Sequence, residues 1–213
     1  MSNDIKIKKG LNIKLKGEAE KTTEKAIISN FYTIRPEDFH GVTPKLIAKQ
    51  AKIFNMRVIA TRRLQRKEEK KRTIDQLLPM SRLDYLISES DYLVVACPLT
   101  PSTYQLLNKE RLNLLSVNSV LINIARGKII DEKYLIKKLK NNEIRGAVLD
   151  VFENEPLEKN SEIFNLNNVF ISPHISGNFS GYQEAVLNSF SENLQRYINK
   201  KSLKNRVCKK RLY

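Results

Sequence analysis

Three side chains capable of acid–base or anion-binding chemistry follow apolar runs in the second half of the chain. They are Arg126, Glu155 and His174. A guanidinium such as that of Arg126 can clamp a carboxylate by two parallel hydrogen bonds. An imidazole that lies beside a carboxylate can exchange a proton with a hydroxyl or carbonyl oxygen near neutral pH.

Each of these residues also has a structural interpretation. An arginine followed by a glycine, as in Arg126-Gly127, is often only a surface salt bridge after a turn. A lone histidine is usually structural, although His174 follows a buried strand and Pro173. The only other histidine, His40, suggests no chemistry, and we interpret it as structural.

The candidate residues follow the strands of a repeating strand–turn–helix pattern that begins near residue 46. Near-continuous apolar strands that alternate with helices are typical of a parallel sheet covered on both faces, with right-handed connections. We predict strands at 56–61, 91–97, 119–125, 145–151 and 168–172, a charged loop at 62–72, and helices at 46–54, 81–88, 109–115, 131–141 and 180–200. We expect side-chain caps from Ser81 with Asp84, from Asp131, and from Ser180 with Gln183. In such a doubly wound α/β fold, ligands bind beyond the carboxyl ends of the strands.

Two further strand ends carry residues suited to a dinucleotide. Arg62 and Arg63 follow the first of these strands, where an arginine suits a ribose 2′-phosphate and favours NADP. The alternative is that they merely open a basic loop. The segment 97–103 holds two prolines, which can make it a rigid support for a cofactor or an ordinary turn. Cys97 ends a buried strand, so packing is its expected role.

Composition limits the classes of function. The chain of 213 residues has 41 % hydrophobic residues, enough for one domain with a small appendage. Its net charge of +15 is spread along the sequence, without zinc-ligand spacing or an aromatic RNA-binding signature, so we predict no nucleic-acid partner. No apolar run approaches the roughly 20 residues that cross a bilayer, and no signal peptide is evident. Two cysteines in the whole chain suggest a reducing, cytoplasmic setting.

Five motifs in order resemble the D-isomer-specific 2-hydroxyacid dehydrogenases over residues 46–213. The motifs are AKIFNMRVIA at 51–60, ACPLTPST at 96–103, VLINIARGKIIDE at 120–132, GAVLDVFENEPL at 146–157 and SPHISGN at 172–178. The resemblance implies that Arg126 binds the substrate carboxylate, Glu155 pairs with the histidine, and His174 is the acid/base. It also implies a set of residues that contact the cofactor, NADP or NAD, with NADP favoured by Arg62. That set is Arg62, Arg63, Cys97, Pro98, Ala125, Arg126, Asp150, His174 and Gly177.

One element of the family's nucleotide-binding domain is missing from the sequence. The family opens this domain with a strand and a GxGxxG turn, whose backbone approaches the pyrophosphate. This chain has no GxG, and the three glycine positions fall on Phe39, Gly41 and Pro44. The segment 30–39 is too polar for a central strand. The family's substrate domain, which should precede that turn, is also absent.

The first 47 residues resemble a different protein, the N-terminus of the A subunit of the sodium-pumping NADH:quinone reductase. The motifs are IKIKKGLNI at 5–13 and IRPEDFHGVTPKL at 34–46. We therefore predict two parts, a short β-rich appendage at 1–45 and a truncated, doubly wound, Rossmann-like domain at 46–213. The two would be joined near 43–49 as a fusion of two partial genes. A role as a quinone reductase subunit is disfavoured, because the rest of that subunit is absent.

The resemblance implies an oxidoreductase that transfers hydride between NAD(P) and a small-molecule 2-hydroxy or 2-oxo acid. We expect this activity to be impaired by the missing turn and substrate domain. The alternative is a non-catalytic fragment that docks to an intact homologous subunit. The family's habit of pairing through this domain also suggests a homodimer, and no metal is expected.

Overall fold

The computed structural model describes residues 25–29, 42–62 and 65–207, and the strands within these ranges form one sheet. The strands are β1 (Lys25–Ser29), β2 (Arg57–Thr61), β3 (Glu69–Lys71), β4 (Ile74–Leu78), β5 (Tyr92–Val95), β6 (Val120–Asn123), β7 (Gly146–Leu149) and β8 (Val169–Ile171). The helices are α1 (Val42–Ile53), α2 (Leu83–Ser88), α3 (Lys109–Leu112), α4 (Glu132–Lys140) and α5 (Tyr182–Ile198). Among these elements, none of the helices combines the length and apolar character that crossing a bilayer requires.

The strand order is β3-β4-β2-β1-β5-β6-β7-β8, and every neighbouring pair is parallel except β3 and β4. The order reverses between β1 and β5. Such a reversal is the switch point at which doubly wound sheets open a crevice for ligands. The predicted doubly wound α/β fold is confirmed.

The core forms because successive strand residues point to opposite faces of the sheet. In β5, Leu93 and Val95 join the larger buried cluster, which also includes residues of α2, α3 and α4. Val94 points the other way, into a smaller cluster with Ala48 and Ala51 of α1. Both faces are therefore covered by helices, which explains why the predicted strands appeared as unbroken apolar runs.

The segment 62–72, predicted as a charged loop, contains a strand. Glu69–Lys71 forms β3, which pairs antiparallel with β4 at the edge of the sheet. All three of its residues are charged and exposed. The apolar alternation that predicts a strand is missing there, and charged residues are common on exposed edge strands.

Of the three predicted helix caps, one is confirmed. The Asp131 carboxylate accepts a hydrogen bond from the Tyr134 backbone at 3.0 Å. The caps predicted at Ser81 and Ser180 were wrong. A 3-10 helix, Met80–Arg82, precedes α2, and Arg82 at the cap position makes no side-chain capping bond. Helix α5 instead begins after Gly181, whose φ of 87° suits glycine.

The position of the family's first strand is filled by the N-terminal region. We expected the family's own first strand to be missing and a short β-rich appendage to stand before α1. In the structure, Lys25–Ser29 pairs in parallel with β2 on one side and β5 on the other. The division of the chain at residue 45 stays a prediction. The part of the β-rich appendage that precedes residue 25 lies outside the described residues, as do His40, Gly41, Arg63 and the second cysteine, Cys208.

Candidate active site

The three predicted catalytic residues lie in the loops that follow β6, β7 and β8, which are neighbours in the sheet. The imidazole Nδ1 of His174 lies 2.7 Å from Oε2 of Glu155. Both side chains are partly open to solvent, with 44 % and 35 % of their surface exposed. A substrate could therefore reach the imidazole while the pair stays intact.

Glu155 is arranged to be ionised and to accept hydrogen bonds. Its other oxygen, Oε1, accepts a hydrogen bond from the Phe152 backbone at 3.0 Å. Partial burial acts to raise the pKa of Glu155. The bonds from Phe152 and His174, with the charges of His174 and Arg126, outweigh burial and hold that pKa below its ordinary value. An ionised acceptor at this place favours a proton on Nδ1 of His174, which leaves Nε2 to face a substrate.

Asp150 organises the turn that carries His174. Its carboxylate accepts hydrogen bonds from the Ser172 hydroxyl, from the Ile175 backbone at 3.0 Å, and from both the backbone and the hydroxyl of Ser176. Burial acts to raise the pKa of Asp150, but these bonds lower it below the ordinary value. Asp150, which is 3 % exposed, is thus bound to the turn on both oxygens.

This turn holds His174 in a left-handed backbone conformation with φ of 54°. A non-glycine residue in that region is uncommon, and holding it there costs on the order of 1 kcal/mol or more. The hydrogen bonds that Asp150 accepts from Ile175 and Ser176, just after the histidine, hold the turn in place. The imidazole is directed toward Glu155 by a backbone that its neighbours fix.

Arg126 is presented by a short loop that a buried asparagine braces. Asn123 is 1 % exposed. Its side chain accepts a hydrogen bond from the Ala125 backbone at 3.0 Å and donates one to the Arg126 carbonyl at 3.1 Å. The Arg126 side chain is exposed, and its Nη1 donates to the Ala125 carbonyl at 2.6 Å. The guanidinium therefore lies at the rim of the site, where an anion can reach it.

Gly127 brings the loops after β6 and β7 together. A Cβ at this position would lie 1.9 Å from the Phe152 carbonyl carbon and 2.3 Å from the Glu153 nitrogen. Because both atoms belong to the backbone, only glycine fits here. This close approach places the arginine loop against the loop of Glu155.

The loop after β5, which its two prolines predict to be rigid, is tied by hydrogen bonds of Thr103. The Thr103 hydroxyl donates to the Pro98 carbonyl at 2.6 Å and accepts from the Thr100 backbone at 2.7 Å. Cys97 is buried, and burial raises the pKa of its thiol to about 12. The expected packing role of Cys97 fits these observations, and its thiol does not ionise near neutral pH.

The structure offers residues that could contact a bound dinucleotide near each of its two ends. Arg62 follows β2 directly, and its Nε donates to the Gln65 side chain at 3.0 Å, which holds the guanidinium at the sheet edge. At the other end, the loops of Ala125, Pro98 and His174 follow β6, β5 and β8. The domain suits a dinucleotide that runs along this edge, as in other doubly wound folds.

The pyrophosphate end fits less well. Helix α1 begins at Val42, and its first turn contains Pro44, which has no N–H to donate to a phosphate. Pro44 is buried, so the ring also occupies space. In the described first turn of α1, a cofactor would find the helix dipole but no backbone donor at Pro44.

Several contributors to the site were not singled out from the sequence. Asn123 carries a detectable signal, an amide within an otherwise apolar strand. Ser172 and Ser176 carry none, since exposed loops are rich in serine. A Cβ at Gly177, predicted to contact the cofactor, would meet nothing within 4 Å, so the fold itself does not require glycine there. Within the described ranges, no three His, Cys, Asp or Glu side chains gather as a metal site would need.

Two family models match the chain, and they overlap. The NAD-binding domain of the D-isomer specific 2-hydroxyacid dehydrogenases matches residues 40–176. The N-terminal barrel-sandwich hybrid domain of NqrA matches residues 5–65. Both resemblances found in the motifs are confirmed, and the junction expected near 43–49 lies in the overlap.

The curated relatives include two archaeal glyoxylate reductases. That of Pyrococcus horikoshii is 46 % identical over 154 residues, which are 72 % of this chain and 45 % of that protein. That of Thermococcus onnurineus is 40 % identical over 159 residues, or 75 % of this chain and 46 % of that protein. The chain thus spans about half the length of the curated relatives it matches.

Solved structures agree with the sequence matches. A D-isomer specific 2-hydroxyacid dehydrogenase from Xanthobacter autotrophicus, in complex with NADPH and MES, has a TM-score of 0.75 and 27 % identity, covering 88 % of this chain and 73 % of that one. An NADPH-dependent glyoxylate/hydroxypyruvate reductase from Sinorhizobium meliloti, in complex with NADP and sulfate, has a TM-score of 0.74 and 25 % identity, covering 88 % and 57 %. With the family model covering more than half of its residues, the chain belongs to the D-isomer specific 2-hydroxyacid dehydrogenase family, through that family's NAD-binding domain.

Proposed function

We propose that this chain carries the acid–base half of a site for hydride transfer between NAD(P) and C2 of a 2-hydroxy or 2-oxo acid. The observation that carries the proposal is the 2.7 Å contact between His174 Nδ1 and Glu155 Oε2 beyond the carboxyl ends of the strands. The relatives named glyoxylate reductases make glyoxylate the first 2-oxo acid to test. The buried thiol of Cys97 is compatible with action in the reducing cytoplasm.

Each of the three side chains has a separate role in the proposed reaction. The nicotinamide, when bound, supplies or accepts the hydride. His174 gives the proton on Nε2 to the carbonyl oxygen during reduction, and Glu155 stabilises the protonated imidazole. Arg126 holds the substrate carboxylate and polarises its carbonyl.

We expect cofactor binding and turnover to be weak in the chain as it stands. The first turn of α1 offers few phosphate donors, and substrate contacts from a second domain are not seen among the described residues. Titration of the purified chain with NADPH and NADH should give dissociation constants above the micromolar range. A submicromolar value would contradict this account of the phosphate turn.

Turnover tests the acid–base pair itself. NADPH-dependent reduction of glyoxylate should fall by about 10²–10⁴-fold in His174→Asn, the range for loss of a positioned general acid. Glu162→Gln is a suitable control, because this exposed glutamate pairs only with Lys140, on the far end of α4. Equal rates in wild type and His174→Asn would refute the assignment.

A second candidate function is docking to another subunit, and helix α5 favours it. None of its seventeen residues is buried. Its exposed apolar side chains include Val186, Leu187 and Phe190, and a groove of about 430 Å³ runs along Phe179 and Phe190. An apolar surface of this kind commonly marks an interaction site. Since the relatives are about twice as long as the matched region, we propose an intact homologous subunit as the partner, with a homodimer as the alternative.

Size-exclusion chromatography with light scattering distinguishes these states. Wild type is expected to form a dimer, or a mixed complex when an intact homologue is added. Leu187→Glu together with Phe190→Glu should return the chain to a monomer. If wild type stays monomeric and forms no complex with the added homologue, the docking proposal is wrong.

A further inference from the structure

The loop that carries Glu155 is held from outside by a carboxylate on α4. Oε2 of Glu132, the first residue of that helix, accepts a hydrogen bond from the Glu153 backbone at 2.8 Å. The same loop is tied from within by the bond from the Phe152 backbone to Glu155. On the remaining side, the Phe152–Glu153 peptide rests against Gly127. The peptide is therefore clamped between a glycine and a carboxylate.

A structural acceptor alone does not require a charged side chain at this place. Glu132 is half-buried, and it lies near two further carboxylates, Glu153 and Glu155. Burial is the main cause that raises the pKa of Glu132, and the charges of those two glutamates act in the same direction. Three carboxylates near one another repel, so this arrangement costs free energy that a neutral acceptor would not cost. Such a cost is consistent with a role for Glu132 in positioning the neighbouring loop.

We propose that Glu132 is a positioning residue for the Glu155–His174 pair, acting through its hydrogen bond to the Glu153 backbone. The clamp fixes where the loop lies, and hence the distance between the Glu155 carboxylate and the imidazole. This inference rests on the proposed function, since it concerns the same acid–base pair. It assigns Glu132 no contact with substrate or cofactor.

The histidine content of the chain makes a direct test feasible. Only two imidazoles are present, so the ring nitrogens of His174 can be assigned by NMR with His174→Asn as reference. The Nδ1 proton shared with Glu155 should give a low-field signal in wild type that Glu155→Ala, which has no acceptor oxygen, removes. Glu132→Ala should lose or broaden this signal, whereas Glu132→Gln, which keeps an acceptor oxygen, should retain it. Glu162→Ala, which removes the ion-pair partner of Lys140 at the far end of α4, should change nothing.

Turnover supplies the second readout. Displacing a catalytic group by about 1 Å can lower the rate up to roughly 10²-fold. We expect Glu132→Ala to lower kcat about tenfold or more while KM for the cofactor is unchanged, with rescue by Glu132→Gln. Should Glu132→Ala fail to fold, Glu132→Asp withdraws the carboxylate by one methylene, keeps the charge, and is expected to lose the His174 signal.

The outcomes separate the two proposals. A folded Glu132→Ala or Glu132→Asp variant with an unchanged His174 signal would overturn the role of Glu132 and leave the proposed function standing. Loss of the signal in Glu132→Gln as well would also overturn it. Absence of the Nδ1 proton signal in wild type would refute the acid–base pair itself, and the role of Glu132 with it.

Discussion

The two halves of the carboxyl edge of the sheet differ in the hydrogen bonds that their described residues make. After β6, β7 and β8, buried or partly buried side chains tie each loop: Asn123, Asp150 and Glu155 all bond to backbone groups. Among the described residues that follow β1 and β2, Pro44 in the first turn of α1 has no N–H to donate, and the Arg62 side chain donates to Gln65. Among the described residues, the acid–base half of the candidate site is the more fully built one, and the phosphate half shows fewer supporting bonds.

The strands themselves show no such difference. β1 comes from the region that the NqrA domain model matches, yet it pairs with β2 and β5 as regularly as β6 pairs with β7. A parallel ladder is made by backbone groups, so segments of different origin can fill the same slot. Site chemistry depends on particular side chains and glycines, and these cannot be exchanged in the same way.

The largest expected effect lies in the built half, at Gly127. Gly127→Ala would place a methyl group 1.9 Å from the Phe152 backbone, so the loop must move. We expect a loss of about 3 kcal/mol or more in the free energy of unfolding, at the upper end for overpacking. Gly177→Ala is the matched control, because its Cβ meets nothing within 4 Å. Equal urea midpoints for the two variants would show that the loops after β6 and β7 are not packed as described.

The next effect concerns Asp150 and depends on pH. Because the folded-state pKa of Asp150 lies below 3.8, its stabilising contribution is present above that value and is lost as pH falls through the folded pKa. At neutral pH, Asp150→Asn should lower the free energy of unfolding by about 1–3 kcal/mol, as expected for bonds to a charged group. The difference from wild type should shrink below pH 3.8.

Asp84→Asn serves as the control for Asp150→Asn. Asp84 forms an exposed ion pair with Arg111, which contributes about 0–1 kcal/mol. If urea unfolding at several pH values gave the same profile for both variants, the turn around His174 would not depend on its buried carboxylate.

The sequence was sufficient to place the three candidate site residues at one edge of the sheet. Arg126, Glu155 and His174 each follow a strand that appeared as an apolar run, and parallel strands bring their carboxyl ends to one edge. The strands are shorter than the runs, since apolar residues continue into the loops; β7 covers 146–149 where 145–151 was expected. The family motifs then supplied the roles that residue types alone left open.

Contacts that depend on the path of the loops could not be predicted. Nothing local distinguishes Glu132, which holds the Glu153 backbone, from the many surface glutamates. Asp150 was expected to contact the cofactor, but its bonds to the His174 turn appear only when β7 and β8 are adjacent. β1 was not predicted as part of this sheet, because its five residues, which the NqrA domain model covers, carry none of the dehydrogenase family's motifs.

Restoring the phosphate turn would reduce the difference between the two halves. Phe39→Gly with Pro44→Gly supplies the glycines at the expected positions and returns an N–H to the first turn of α1. We expect NADPH to bind about tenfold more tightly, as one additional bond of about 1.5 kcal/mol would give. Isothermal titration calorimetry measures the change.

The matched control for the glycine variant is Phe39→Ala with Pro44→Ala. It restores the N–H but leaves a Cβ at both positions, so any gain in affinity should be smaller. An equal gain would show that donors alone limit binding. If neither variant binds NADPH more tightly than wild type, the glycines and the N–H at these positions are not what limits cofactor binding.

The smallest expected effect is at Arg62, which follows β2 in the less complete half. Arg62→Ala, which removes the guanidinium, should weaken NADPH binding relative to NADH binding, because only NADPH carries a 2′-phosphate. As Arg62 is partly exposed, solvent limits the change to about 1 kcal/mol, roughly fivefold. Arg145→Ala removes the same charge just before β7, at the opposite edge of the sheet, where Arg145 lies 4.9 Å from the Tyr92 ring centre. If both variants weaken NADPH binding equally, the overall charge of +15 attracts the phosphate, and the end of β2 makes no specific contribution.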